Sequence, residues 1–224
     1  MRPTRKIFIF FLLIITLCVP IFALSAKTSG LDKNEETHLV FMREEEKLAR
    51  DVYITLGKQY GENSDLALPF KNIVPSEQNH TNIMLDKLRQ FKIDDPNTDD
   101  TVGVFTGEDY GEYFTGKYTQ LVERGLQNYL EALYVGAFIE ELDMHDISKC
   151  PAEIIKIQDW IGSEDECGME YTDERPLIRS YGNLLEGSKN HFRAYVKIIE
   201  KSIGYGNYKA QYLTQEEVDE ILGR

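Results

Sequence analysis

The chain has 224 residues, with 25 Lys and Arg against 38 Asp and Glu, a formal net charge of −13. So acidic a balance excludes nucleic acid and anionic membrane surfaces as expected partners, because phosphate binding needs clustered cations. A chain of this length can bury a sizeable core as one domain.

The first six residues carry Arg2, Arg5 and Lys6, and an apolar run follows from Ile7 to about Phe22, ending in Ala23, Leu24, Ser25 and Ala26. A basic start, an apolar stretch and small residues at its end predict a cleaved secretory signal peptide over residues 1–26, hence a secreted or extracytoplasmic protein. The alternative is an uncleaved N-terminal membrane anchor, although a spanning helix needs roughly 20 apolar residues. Removing the segment takes away three cations and no acids, leaving 22 basic against 38 acidic residues and a net charge of −16. Cys150 and Cys167 are then the remaining cysteines. In an oxidising compartment they are expected to pair as a structural disulfide.

Residues 27–36 are polar and read as a flexible tether. A first helix is expected from Thr37 to Gln59, stopped at Gly61, with Phe41, Leu48, Ala49, Val52, Tyr53 and Leu56 recurring at helical spacing. A second spans Lys71 to Phe91, with Pro75 near its first turn and Ile73, Glu77, His80, Met84 and Leu88 on its inward line. Residues 92–116, rich in Asp, Gly, Thr and Pro, read as a long connection, followed by a short helix at about 117–124. The third helix runs from Gln127 to Asp146, and residues 147–172 form an irregular insert bracketed by Cys150 and Cys167. The fourth starts close to Pro176, capped by Thr172 or Asp173, and ends before Gly204. Residues 204–224 are a C-terminal extension with a short helix, where Thr214 and Glu217 match a capping box. No strand pattern competes. Residues 37–203 therefore predict an all-α four-helix bundle whose long link crosses between the second and third helices.

Each of the four helices carries a candidate metal ligand at an inward position. Glu77 and His80 lie at i, i+3 on one helix face, so a carboxylate and an imidazole can converge on one ion. His191 shares a line with Tyr181, Leu184, Ser188, Tyr195 and Ile198. On the first helix Glu44, Glu45 and Glu46 precede Lys47, and the plain reading is a solvated charge run paired with Lys47 and Arg50. Glu45 nevertheless falls near the centre of the apolar face, and Glu46 at its edge in line with Ala49 and Tyr53. On the third helix Glu140 and Glu141 flank the inward line, followed by Asp143. At least one of that pair is expected to be buried, where a carboxylate needs a partner or a metal.

The segments REEEKLARDVY (Arg43–Tyr53), NIVPSEQNH (Asn72–His80), VGAFIEELD (Val135–Asp143) and GSKNHFRAY (Gly187–Tyr195) resemble an uncharacterised ferritin-like family, DUF2202. The stretch GVF (Gly103–Phe105) fits that family's connection region, and the pieces span about residues 37–200 in the family's order. The resemblance implies a ferritin-like bundle. Di-iron members of that wider superfamily take one Glu from each of two helices and an E-x-x-H motif from each of the other two. Glu46-x-x-Ala49-Arg50-x-x-Tyr53 resembles the rubrerythrin first-helix pattern, which selects Glu46 over Glu45 as ligand and sets Tyr53 beside it. Glu77-x-x-His80 matches the second-helix motif. The fourth helix departs from it, because Ser188-Lys189-Asn190-His191 puts a hydroxyl where a ligand Glu is expected.

The implied ligands are Glu46, Glu77, His80, His191 and either Glu140 or Glu141, holding one or two iron or manganese ions. A redox-active centre of this kind would take a small-molecule oxidant, and a homodimer is compatible with the fold. The sequence assigns no enzymatic activity. The alternative is a metal-free exported helical module in which the same residues form a satisfied internal polar network.

Overall fold

The computed structural model describes residues 30–61 and 68–224; the segment read as a signal peptide, residues 1–26, lies outside them. Among the described residues the regular structure is helical throughout. The helices are α1 (Lys33–Gln59), α2 (Leu68–Phe91), α3 (Gly111–Gly125), α4 (Tyr129–Ser148), α5 (Ala152–Ile157), α6 (Arg175–Ile203) and α7 (Gln215–Leu222). None of them is long and apolar enough to cross a membrane.

The long helices pack mainly as two pairs, α1 with α2 and α4 with α6. Side-chain contacts fix their directions. Glu46 on α1 meets His80 while Tyr53 packs on Phe70, so α2 runs against α1. Tyr53 also meets Glu140, and His38 meets the Asp146 carbonyl, so α4 runs against α1 as well. His191 faces Glu140 and Ser188 bonds Asp143, so α6 runs against α4. It follows that α2 and α4 point the same way, and the chain between them must return along the length of the bundle. Residues 92–128 make that return, and α3 within it begins at Gly111, earlier than the expected start near Lys117.

Three other boundaries differ from the sequence reading. Asp32 and Glu35 form a reciprocal capping box, which starts α1 at Lys33, so residues 33–36 are helix rather than tether. Phe70 is fully buried against Tyr53, Tyr60 and Tyr195. That anchor draws the first turn of α2 back to Leu68 and leaves Pro75 inside the helix. The residue preceding α6 is Glu174, without a side-chain cap; Thr172 donates its hydroxyl to Glu35 and accepts the Glu174 N–H at 3.1 Å, short of the first helical turn. The Thr214–Glu217 capping box opens α7, and Cys150 is bonded to Cys167.

The charge run on α1 is not solvated. Every residue from Phe41 to Arg50 is buried, because the 92–110 connection and α3 cover the face that α2 and α4 leave open. The connection, together with Asp51 on α1 itself, supplies the counter-groups. Arg43 pairs with Asp95 at 3.1 Å, and Glu44 accepts the Gly107 N–H at 3.2 Å. Lys47 donates to Asp51 at 2.5 Å and to the Thr101 carbonyl at 2.9 Å, with its ammonium 4.6 Å from the Phe105 ring centre. Arg50 bridges Asp51 and Asp100, each at 2.8 Å. Buried charges persist when paired and hydrogen-bonded in this way.

Candidate metal centre

Four helices each deliver a ligand-type side chain to one buried volume: Glu46 from α1, Glu77 and His80 from α2, Glu140 from α4 and His191 from α6. Nδ1 of His80 lies 3.3 Å from Oε2 of Glu46 and 3.2 Å from Oε2 of Glu77. Nδ1 of His191 lies 2.6 Å from Oε1 of Glu77 and 3.5 Å from Oε1 of Glu140. The result is two triads, Glu46–Glu77–His80 and Glu77–Glu140–His191, in each of which the ligand atoms lie within 4.8 Å of one another. Glu77 belongs to both and turns one oxygen toward each histidine.

Two glycines make the approach geometrically feasible. A Cβ on Gly187 would fall 2.6 Å from Cε1 and Nε2 of His80, so the bare backbone lets α6 close over that imidazole. A Cβ on Gly136 would strike the Tyr195 ring at 2.5 Å. The Gly136 carbonyl also lies 3.3 Å from the Tyr53 hydroxyl, which donates to Oε1 of Glu140 at 2.6 Å.

The hydrogen-bond accounting separates these histidines from an ordinary core histidine. His38 is buried on α1, where its Nε2–H donates to the Asp146 carbonyl at 2.7 Å and its Nδ1 accepts the Tyr181 hydroxyl at 2.9 Å. Burial lowers its pKa to about 4, so it stays neutral. By contrast, both oxygens of Glu46, Oε1 of Glu77, and Nδ1 of His80 and of His191 are buried without a hydrogen-bond partner. The close His191–Glu77 approach lacks hydrogen-bond geometry. These atoms approach one another as ion pairs but are not aligned as hydrogen bonds, and five of them gathered in one place fit a cation that accepts their lone pairs.

With protons as the only cations, the electrostatics are those of a frustrated cluster. Burial lowers the pKa of His80, but Glu46 and Glu77 outweigh it and raise the imidazole to about 12. Burial is likewise outweighed at His191, which Glu140 and Glu77 raise to about 10. Burial raises Glu77, yet the two imidazoles pull it down to about 2. Burial pushes Glu46 upward and Glu140 to about 7. Protonated imidazoles therefore stand in for the positive charge this site attracts.

A family model described as an uncharacterized protein domain, DUF2202, matches residues 35–224. The chain belongs to the DUF2202 family. It is 38% identical over 193 residues to the uncharacterized protein MJ0754 of Methanocaldococcus jannaschii, covering 86% of this chain and 88% of that one. The crystal structure of hypothetical protein MJ0754 from Methanococcus jannaschii DSM 2661 shares the fold, with a TM-score of 0.69 at 36% identity over 87% of this chain and 94% of that chain. The DUF2202 match takes in both α1, from its first turn, and the C-terminal extension.

That extension decides between the two candidate carboxylates of α4 in this DUF2202 chain. Glu141 is buried but turned away from the triads. Its Oε1 accepts the Tyr208 hydroxyl at 2.6 Å, and its Oε2 accepts the N–H groups of Gln211, Tyr212 and Leu213 at 2.8, 2.7 and 3.0 Å. A carboxylate so occupied is a structural clasp, and of the two candidates it is Glu140 that stands in a triad. Glu45 is also buried, but burial and the neighbouring Asp146 and Asp143 raise its pKa well above the usual carboxylate range, and it joins neither triad. Asp143, to which the sequence reading gave no ligand role, is buried one turn beyond Glu140, accepts the Ser188 hydroxyl and, like Glu45, stands outside both triads. Its i, i+3 spacing from Glu140 was the available signal.

Proposed function

We propose that this DUF2202 protein is a ferritin-like bundle that binds iron or manganese through Glu46, Glu77, His80, Glu140 and His191, and that it acts outside the cytoplasm after removal of residues 1–26. The observation carrying the metal reading is the set of five buried lone-pair atoms without hydrogen-bond partners, gathered in two triads that share Glu77. A satisfied polar network, the metal-free alternative, would align these atoms in hydrogen bonds. Carboxylate and imidazole donors suit iron and manganese. The parallel course of α2 and α4, joined by a crossover, supports a ferritin-like topology. The Cys150–Cys167 bond is compatible with an oxidising compartment.

A bound ion of this kind would supply one-electron redox chemistry toward a small-molecule oxidant. The chain's own residues bind and orient. Glu77 faces both histidines, Tyr53 holds Glu140 by a hydrogen bond, and the surrounding helices exclude water from the cluster. His80 and His191 give up their protons when their Nδ1 atoms become ligands.

The test is metal content. Protein purified without chelators or a histidine tag should carry at least one ion per chain, and His80→Ala should abolish it. Absence of bound metal after iron and manganese loading, with thermal stability unchanged, would overturn the reading.

A further inference from the structure

The fourth helix lacks the carboxylate that would complete a symmetric pair of ion sites, since Ser188 stands one turn before His191 where a Glu was expected. The structure nevertheless brings a fourth carboxylate to the same level from the neighbouring helix. Glu140-x-x-Asp143 on α4 and Ser188-x-x-His191 on α6 are two i, i+3 pairs on antiparallel helices, and they interlock. His191 lies against Glu140 at 3.5 Å, and the Ser188 hydroxyl donates to Oδ2 of Asp143. Asp143 is 4% exposed, and its other oxygen, Oδ1, is buried without any hydrogen-bond partner. Its electrostatic neighbours are the triad carboxylates Glu46, Glu140 and Glu77. Burial and these carboxylates raise its pKa well above the usual range, so it holds a proton unless a cation displaces it, and no Lys or Arg contact supplies one among the described residues.

We infer that Asp143 is the fourth carboxylate of a two-ion centre, transferred from α6 to α4 and aimed by Ser188. The inference rests on the metal-binding reading above and sets its stoichiometry. Glu77 turns one oxygen toward each triad and could serve an ion in both. Charge gives the same count. Glu46, Glu77, Glu140 and Asp143 as carboxylates, with His80 and His191 neutral, balance two divalent cations. Ser188 does not replace the missing ligand. It gives Oδ2 a donor, which leaves Oδ1 as the free ligand atom. Outer-shell donors of this type orient ligands and are worth about 10- to 100-fold in metal affinity.

The experiment uses Mn2+ as probe on the purified, metal-stripped protein, read by equilibrium dialysis and electron paramagnetic resonance. The wild type should bind two Mn2+ per chain and give the spectrum of an exchange-coupled pair. Asp143→Asn should bind one and give the resolved hyperfine pattern of an isolated ion, with helical circular dichroism unchanged. Ser188→Ala should keep both sites and weaken the second by about 10-fold or more, which provides the deciding measurement if Asp143→Asn does not fold. Two ions held at wild-type affinity by either variant would overturn the role of Asp143 and leave the metal-binding reading standing. A single ion in the wild type would do the same. A wild type that binds no Mn2+ and no iron would overturn both.

Discussion

Tyr53 on α1 donates its hydroxyl proton to Oε1 of Glu140 on α4 across 2.6 Å, tying the first helix to the third long one at the level of the cluster. Both residues are buried, so the bond is made to a carboxylate away from water. Removing the donor in Tyr53→Phe should cost about 1.5–3 kcal/mol, as hydrogen bonds to charged groups do. The measurement is urea denaturation of the metal-free protein, with the midpoint displaced downward and the slope unchanged. A midpoint equal to wild type would mean that Glu140 finds another donor.

The metal-free protein should lose stability as pH rises. Burial raises Glu44 and Glu140 to about 7 from an ordinary 4.5, and carboxylate neighbours raise His80 and His191 to about 12 and 10 from 6.5 against the pull of burial. Each group binds its proton more tightly when folded, so its contribution is fully present below the unfolded value and lost as pH climbs through the folded one. Glu77, lowered to about 2 by its histidines, acts oppositely and gives up its contribution only in acid, as pH falls below about 4.5. Melting temperatures in chelator should therefore decline from about pH 5 to about pH 9. Added Mn2+ should reverse the trend, since ligation expels the same protons and tightens with pH. A flat profile in chelator would contradict the assignment of protons to the two imidazoles.

Lys47 is fully buried and ties α1 to the crossing connection through the Thr101 carbonyl and Asp51. Lys47→Met keeps the length of the side chain and removes the charge. Breaking a buried pair by removing one partner costs about 3–5 kcal/mol. Because the lost contact reaches the connection, limited proteolysis should cut within residues 92–110 faster than in the wild type. Unchanged cleavage there would show that Arg43–Asp95 and Arg50–Asp100 suffice to hold it.

Glu141→Ala separates a clasp from a ligand. The substitution strips the acceptor from the Tyr208 hydroxyl and from three backbone N–H groups. Stability should fall by about 3 kcal/mol or more, because hydrogen bonds to a carboxylate are worth about 1.5–3 kcal/mol each. Metal content per folded chain should stay at the wild-type level, and its loss would restore Glu141 to the ligand set.

The helices were legible because apolar residues recur at helical spacing along 37–59, 71–91, 127–146 and 176–203, and because an Asp- and Gly-rich stretch interrupts them where the crossover runs. The ligand types were legible on α2, where Glu77 and His80 sit one turn apart on a helix whose outer face reaches solvent and whose inward line is clear. They were less legible on α1, since Phe41 to Arg50 is buried on every side and has no polar face for periodicity to mark. The choice between Glu140 and Glu141 depended on Tyr208 and residues 211–213, whose place against α4 no local pattern announces. Asp143 escaped for a related reason. Its meaning comes from Ser188, 45 residues further on, across a helix interface.

The clasp on Glu141 also sets an order of events. Its Tyr208 donor is 67 residues further along the chain, and its backbone donors are 70 to 72 residues further on. A chain that emerges N-terminus first therefore completes α4 long before anything can satisfy that carboxylate. Until α6 and the turn beyond it have followed, one side of the nascent bundle holds a charge better left in water, so premature closure of the core is disfavoured during synthesis.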